Sequence, residues 1–92
     1  MPSNRLRVGI GWIELEILAE PYVVLTFNGY APALKVKDLR NGLDYEMFIS
    51  AKSLAQALEP LRLARGAFTG IRIKLRKESE DRFSSYIVEN LN

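Results

Sequence analysis

The 92-residue chain contains neither cysteine nor histidine. Without cysteine it can form no disulfide, no thiolate metal site and no thiol nucleophile. Without histidine it lacks the side chain most often used as a general base and as a metal ligand. We therefore expect a protein that binds a partner and is not an enzyme, with no cofactor and no metal site.

Long apolar segments are also missing. No run of eighteen apolar residues is present, so the sequence predicts no membrane span. The first five residues are not followed by the apolar core of a signal peptide, which together with the lack of cysteine indicates a cytoplasmic protein. Apolar residues still make up 48 % of the chain, as in a globular protein. We expect one domain over residues 1–92, with residues 1–8 and 90–92 loosely held.

Motifs of phosphate and calcium sites are absent too. There is no glycine-rich phosphate loop, and the acidic run at residues 78–81 lacks the spacing of a calcium loop. Glu14 and Glu16 would share one face of a strand, as paired catalytic acids do. Simple alternation puts such pairs on any exposed strand, so this pair carries little weight.

Charge is unevenly distributed along the chain. Residues 33–77 hold ten Lys and Arg against four acids, whereas residues 78–92 hold one Arg against four acids; the net charge of the whole chain is only +2. A basic middle segment favours a polyanionic partner more strongly than the total charge does.

The most regular pattern lies at residues 70–77. Apolar side chains at 71, 73 and 75 alternate with Arg72, Lys74 and Arg76. Period two predicts a strand at about 69–77 with one buried face. Because every residue of the other face is a cation, we expect these three side chains to meet phosphates.

Similar patterns predict four more strands. The first covers residues 10–27 and is broken by Pro21, which cannot donate to a ladder. The second, third and fifth cover 33–39, 45–50 and 82–89. Asn41 and Gly42 suggest a two-residue type I′ hairpin, which would place Lys37 opposite Glu46 and Lys35 opposite Phe48. Between the third and fourth strands, helical spacing predicts a helix at 51–59, with Ser50 as its N-cap and Pro60 at its end.

This order of elements resembles the OB-fold, a small five-stranded Greek-key barrel with its helix between strands 3 and 4. The cationic fourth strand, a polar turn and an aromatic last strand are similar to the final hairpin of small single-stranded-DNA-binding OB domains. The sequence departs from that pattern in the acidic turn at 78–81. An SH3-like barrel, or a sheet covered by one helix, remains an alternative.

The resemblance implies a binding surface on strands 2 and 3 and on the loops beside them. Together with the cationic strand, it gives the following candidate residues: Phe27, Tyr30, Lys35, Lys37, Phe48, Arg72, Lys74, Arg76, Lys77 and Arg82. Aromatic rings would stack on bases and cations would follow phosphates. We thus expect binding of single-stranded DNA or RNA, most readily DNA, with little sequence specificity and strong salt dependence.

A second hypothesis is a protein-interaction module or homo-oligomer that binds no nucleic acid. Under it, the cations of the fourth strand protect a solvated edge and Lys37 pairs with Glu46. Phe48 and Trp12 would then be subunit contacts. Since Trp12 shares a face with two acids, we expect it to pack against protein, whichever hypothesis holds.

Overall fold

A computed structural model describes residues 4–81 and 83–91. These residues form the following elements: β1 (Asn4–Arg5), β2 (Ile13–Ile17), β3 (Tyr22–Thr26), β4 (Gly29–Asp38), β5 (Asp44–Phe48), α1 (Lys52–Arg65), β6 (Arg72–Lys77) and β7 (Tyr86–Asn90). The predicted class, mostly β with one helix, is confirmed. No helix within these ranges is long and apolar enough to cross a membrane.

The strands form one sheet in the order β1-β5-β4-β2-β6-β7, and β3 pairs with β4 beside β2. All the pairs are antiparallel except β1 with β5. In the described ranges no ladder joins β7 to β1 or β5, so the sheet is open and the predicted closed five-stranded barrel is not confirmed. The helix lies between the fifth and sixth strands of the chain, β5 and β6, and not between a third and a fourth strand. The count differs because the predicted first strand is divided into β2 and β3, and because β1 precedes it.

The division of the first strand is a bulge. Ile17 pairs with Val36 and Tyr22 pairs with Ala33, so the four residues 18–21 face only the two residues 34–35 of β4. Pro21 has no N–H for the ladder, which is why pairing stops there. As a result β2 pairs with the second half of β4, while β3 and the first half of β4 form a separate hairpin.

The β4–β5 register differs from the prediction by two residues. Lys37 lies opposite Asp44 and Lys35 lies opposite Glu46, whereas Phe48 pairs with Ala33. The predicted cross-strand pair of Lys37 and Glu46 is therefore wrong. An even shift leaves each side chain on its predicted face of the sheet.

The cause of the shift is a four-residue turn at 39–42. The carboxylate of Asp38 accepts a hydrogen bond from the backbone N–H of Arg40 (2.9 Å) and also pairs with its guanidinium. A type I′ turn needs positive φ at both central residues. Within the described turn only Gly42 has it (φ 74°), so Asn41 does not adopt that geometry.

Helix α1 is longer than predicted. It runs through Pro60, which lies inside it, and ends before Gly66 in the left-handed region at φ 88°. The N–H of Gly66 donates to the carbonyl of Arg62 (2.7 Å). Apolar spacing continues past the proline, since Leu61 packs on the core. This packing outweighs the hydrogen bond that proline removes.

The start of α1 differs by one residue. Ala51 occupies the N-cap in an extended conformation and forms no side-chain cap, so the prediction of Ser50 is wrong. In the first turn, the hydroxyl of Ser53 accepts a hydrogen bond from the backbone N–H of Tyr86 (3.2 Å). This bond joins the helix to β7.

The core lies between one face of the sheet and α1. Its buried apolar residues are Ile13, Leu15, Ile17, Leu34, Val36, Met47, Leu54, Leu58, Phe68, Ile71, Ile73 and Leu75. The predicted buried face of the fourth strand, now β6, is thus confirmed. Neither β3 nor the first half of β4 contributes to this cluster, whereas the second half of β4 contributes Leu34 and Val36.

The segment at residues 4–9 connects β5 and β6, two strands that are not neighbours in the sheet. The N–H of Leu6 donates to the carbonyl of Glu46 on β5 (2.8 Å), and the N–H of Lys77 on β6 donates to the carbonyl of Gly9 (2.7 Å). Leu6 and Val8 pack against the core. We call the region where this segment meets the ends of β6 and β7 the seam.

Candidate nucleic-acid interface

Two of the three outward cations of β6 (Arg72, Lys74 and Arg76, here called the β6 cations) lie beside acids. Arg72 Nε is 2.9 Å from Glu16 Oε1, and Lys74 Nζ is 3.2 Å from Glu89 Oε2. The antiparallel register produces these contacts, since β2 places Glu16 opposite Arg72 and β7 places Glu89 opposite Lys74. The cationic stripe of the sequence is therefore part of a mixed-charge surface.

Trp12 occupies the remaining space on this face. Lys74 Nζ lies 4.7 Å from the centre of its ring and Arg76 Cζ lies 5.2 Å from it. Such cation–π contacts contribute about 0.5–1 kcal/mol each at exposed sites. The indole is still 40 % exposed, but two cations cover part of it.

The two predicted cations of β4 are not paired. Lys35 is exposed and Lys37 is half-buried. Lys37 lies in register with Glu16 on one side and with Asp44 on the other, yet the structure, where described, contains no ion pair of either lysine.

The predicted aromatic residues lie at the other end of the sheet. Phe27 is in the turn between β3 and β4 and is fully exposed, and Tyr30 on β4 is 76 % exposed. Phe48 on β5 is half-buried, and Arg5 Cζ lies 4.8 Å from the centre of its ring. A cation from β1 therefore lies over the ring of Phe48.

A cleft opens at the seam. It has a volume of about 600 Å³ and is lined by Arg5, Leu6, Arg7, Val8, Lys77 and Tyr86. Among the described residues, its three cations (Arg5, Arg7 and Lys77, here called the seam cations) form no ion pair. Lys77 Nζ lies 5.9 Å from the centre of the Tyr86 ring. Cations and an aromatic ring thus line one groove, and none of its lining residues is an acid.

A second cleft adjoins the first. It measures about 330 Å³ and is lined by Arg5, Thr26, Asn28, Tyr30, Ala31, Phe48 and Ser50. Arg5 lines both, and we call the two clefts together the path. Tyr30 and Phe48 line the second cleft from opposite faces of the sheet, because Phe48 pairs with Ala33 and Tyr30 is three residues from Ala33 on β4. The seam cations and Tyr86 line the first cleft.

The register partner of Arg5 in the sheet is Glu46. The Glu46 carboxylate accepts a hydrogen bond from the hydroxyl of Tyr22 (2.8 Å). Burial, and then the hydrogen bond and charge of Glu46, raise the pKa of Tyr22 to about 12. The phenol therefore stays protonated at neutral pH and holds Glu46, while the guanidinium of Arg5 lies over Phe48.

The structure brings only part of the predicted set together. Tyr30, Phe48 and Lys77 line the two clefts, whereas Arg72 and Lys74 lie in ion pairs elsewhere. The remaining candidates within the described ranges, Phe27, Lys35, Lys37 and Arg76, line neither cleft. Arg82 lies outside the described residues.

Sequence reasoning missed Arg5, Arg7 and Tyr86 as cleft residues. The signal was present at residues 5–8, where arginines alternate with Leu6 and Val8 as in the stripe at 71–76. Its position next to Lys77 depends on pairing with β5 and β6, which four residues of sequence do not reveal.

In the ranges described, no group of three or more His, Cys, Asp or Glu is placed to hold a metal ion. Comparison of the chain with models of protein families, with curated proteins and with solved structures finds no match in any of the three. The geometry of the clefts is therefore the basis for a functional proposal.

Proposed function

We propose that the protein binds single-stranded nucleic acid with little sequence specificity, along the two clefts that share Arg5. One observation carries this proposal: cations that form no ion pair among the described residues lie there beside exposed or half-exposed aromatic rings. The combination matches the two requirements of such binding, a basic groove for the backbone and flat rings for the bases.

Each part of the path has a distinct role. The seam cations compensate phosphates, and their guanidinium and ammonium groups release counterions from the strand when it binds. Phe48, Tyr30 and Tyr86 provide rings on which bases stack, at about 1–3 kcal/mol per base. Stacking accepts every base, so the expected sequence preference is weak.

The predicted resemblance to OB domains is compatible with this surface. Such domains bind on their second and third strands, and the second and third predicted strands correspond to β4 and β5, which carry Tyr30 and Phe48. We keep an OB-like relationship, with β2 and β3 as one interrupted first strand, as part of the proposal.

The test is a fluorescence-anisotropy titration of a labelled oligo-dT with the protein, at low and at moderate salt. We expect micromolar or tighter binding at low salt and an affinity that falls as salt rises. A labelled oligo-U measured in parallel compares RNA with DNA. No binding at low salt would contradict the proposal and favour the interaction module.

A further inference from the structure

Residues 21–34 contain no charged side chain, although charged residues make up 26 % of the chain. This segment covers all of β3 and the first half of β4. Within it, four large apolar side chains are exposed: Val23 (67 %), Leu25 (68 %), Phe27 (110 %) and Tyr30 (76 %). Nucleic-acid binding in the two clefts uses only Tyr30 of these four, so the surface requires another explanation.

Strand β3 also has an open edge. Among the described residues it pairs only with β4, and the hairpin closes with Thr26 opposite Gly29. Backbone groups of an antiparallel strand point alternately to its two edges. The backbone groups of Thr26 in this closing pair point toward β4. By alternation, the N–H and C=O groups of Val23 and Leu25 point to the open edge.

Soluble proteins usually protect such an edge with lysines, prolines within the strand, or a covering element. Strand β3 has none of these, since Pro21 precedes the strand and Pro32 lies on the paired strand β4. The exposed fractions of Val23 and Leu25 show that no other described part of the chain covers them. An uncovered, uncharged edge with apolar side chains is a site for another strand.

We propose that this strand is β3 of a second copy of the same chain, paired antiparallel about a two-fold axis at Val24. In that register Val23 of one copy lies opposite Leu25 of the other, and both outward-pointing pairs of backbone groups form hydrogen bonds. The same surface then serves both copies, as a two-fold interface requires.

The absence of charge favours this occupant, and the small contact limits its stability. Neither β3 nor its turn carries a charge, so two copies do not repel each other and a charged partner strand would find no complement. The contact is one strand edge with its flanking side chains, which is well below the total of about 1,200–2,000 Å² that stable interfaces bury. We therefore expect a weak dimer whose population depends on protein concentration.

The register can be tested by cross-linking, because the chain has no cysteine of its own. In the proposed register the Val24 pair is not hydrogen-bonded, with Cα atoms about 4.5 Å apart, a distance that a disulfide spans. Val24→Cys should form a disulfide-linked dimer under mild oxidation at least about tenfold faster than Leu63→Cys, an equally simple substitution at an exposed position of α1. Equal rates would overturn the proposal.

A second variant keeps the proposal testable if Val24→Cys folds poorly. Leu25→Lys places a charge on each copy at the interface, whereas Leu63→Lys changes a leucine of similar exposure (68 % and 66 %) away from it. Sedimentation velocity over a concentration series should show a dimer for the wild type and for Leu63→Lys, but a monomer for Leu25→Lys. A wild type that is monomeric throughout, or a Leu25→Lys variant that still dimerises, would overturn the proposal. Oligo-dT binding by Leu25→Lys, measured on the same samples, tests the clefts separately.

Discussion

The β6 cations and the seam cations are equal in number and differ in their neighbours. On β6, the adjacent strands β2 and β7 place carboxylates against two of the three side chains. At the seam, the facing segments supply only apolar and aromatic groups to the cleft. The number of cations on a segment therefore does not determine the electrostatic potential at its surface. The register of the neighbouring strands decides how much of the charge is compensated by carboxylates.

The difference matters for binding even though an exposed ion pair adds little to stability. The acid of the pair stays beside its cation, where it repels phosphate. Such pairs contribute about 0–1 kcal/mol to stability. A phosphate that approaches the β6 cations nevertheless meets Glu16 and Glu89 at close range, and like charges repel. At the seam no described carboxylate forms an ion pair with the cations, so more of their attraction is available to a nucleic-acid strand.

The largest expected effect comes from removing two cations from each region. Arg5→Ala/Arg7→Ala should weaken oligo-dT binding by at least about tenfold and reduce the slope of log K against log salt by about 1.4, since each contacted phosphate of a single strand contributes about 0.7. Arg72→Ala/Lys74→Ala removes the same charge and should change affinity by less than about threefold. Equal losses in anisotropy titrations would show that only net charge matters.

A smaller effect is expected from the aromatic residues of the two regions. Phe48→Leu keeps an apolar side chain but removes a stacking platform, so affinity should fall by roughly fivefold, or about 1 kcal/mol. Trp12→Leu should leave affinity within about twofold, because Trp12 lies on the face where Glu16 and Glu89 compensate the β6 cations. If Trp12→Leu has the larger effect in the same titration, the binding face is the wrong one.

The difference between the two regions should become smaller when the acids beside the β6 cations are neutralised. Glu16→Gln/Glu89→Gln frees the β6 cations, so binding at low salt should improve by about two- to threefold and the gain should vanish at high salt. In the Arg72→Ala/Lys74→Ala background the same neutralisation should give no gain. Unchanged affinity in the first case would mean that these acids do not limit binding.

The smallest effect concerns Tyr22, whose hydroxyl holds Glu46 near the seam. Its pKa is raised in the folded protein to about 12, so the stabilisation is complete below the ordinary tyrosine pKa of about 10 and is lost as pH rises through 12. Tyr22→Phe should be less stable by about 0.5–1 kcal/mol at pH 7 to 9. In urea unfolding, this difference from the wild type should shrink between pH 10 and 12; a constant difference would contradict the assignment.

Some of this structure could be predicted from the sequence because the signal is local. Alternation at residues 71–75 identified a strand and its buried face, and the position of Pro21 identified the break between β2 and β3. The turn at 39–42 was also local, but Asp38 and Arg40 determined it and the Asn-Gly pair did not.

The rest depends on contacts between distant parts of the chain. Arg72 and Glu16 are 56 residues apart, and nothing near either one reveals their pairing. The helix continues past Pro60 because Leu61 finds the core, which helical propensity alone does not show. The seam exists only because residues 4–9 pair with both β5 and β6.

The most direct test of the central claim is a map of oligo-dT binding by ¹⁵N–¹H NMR. During a titration at low salt, the backbone amides of Arg5, Arg7, Phe48, Lys77 and Tyr86 should show the largest shifts. Those of Glu16, Arg72 and Lys74 should move little. Shifts centred on β2 and β6, or no shifts at all, would contradict the account.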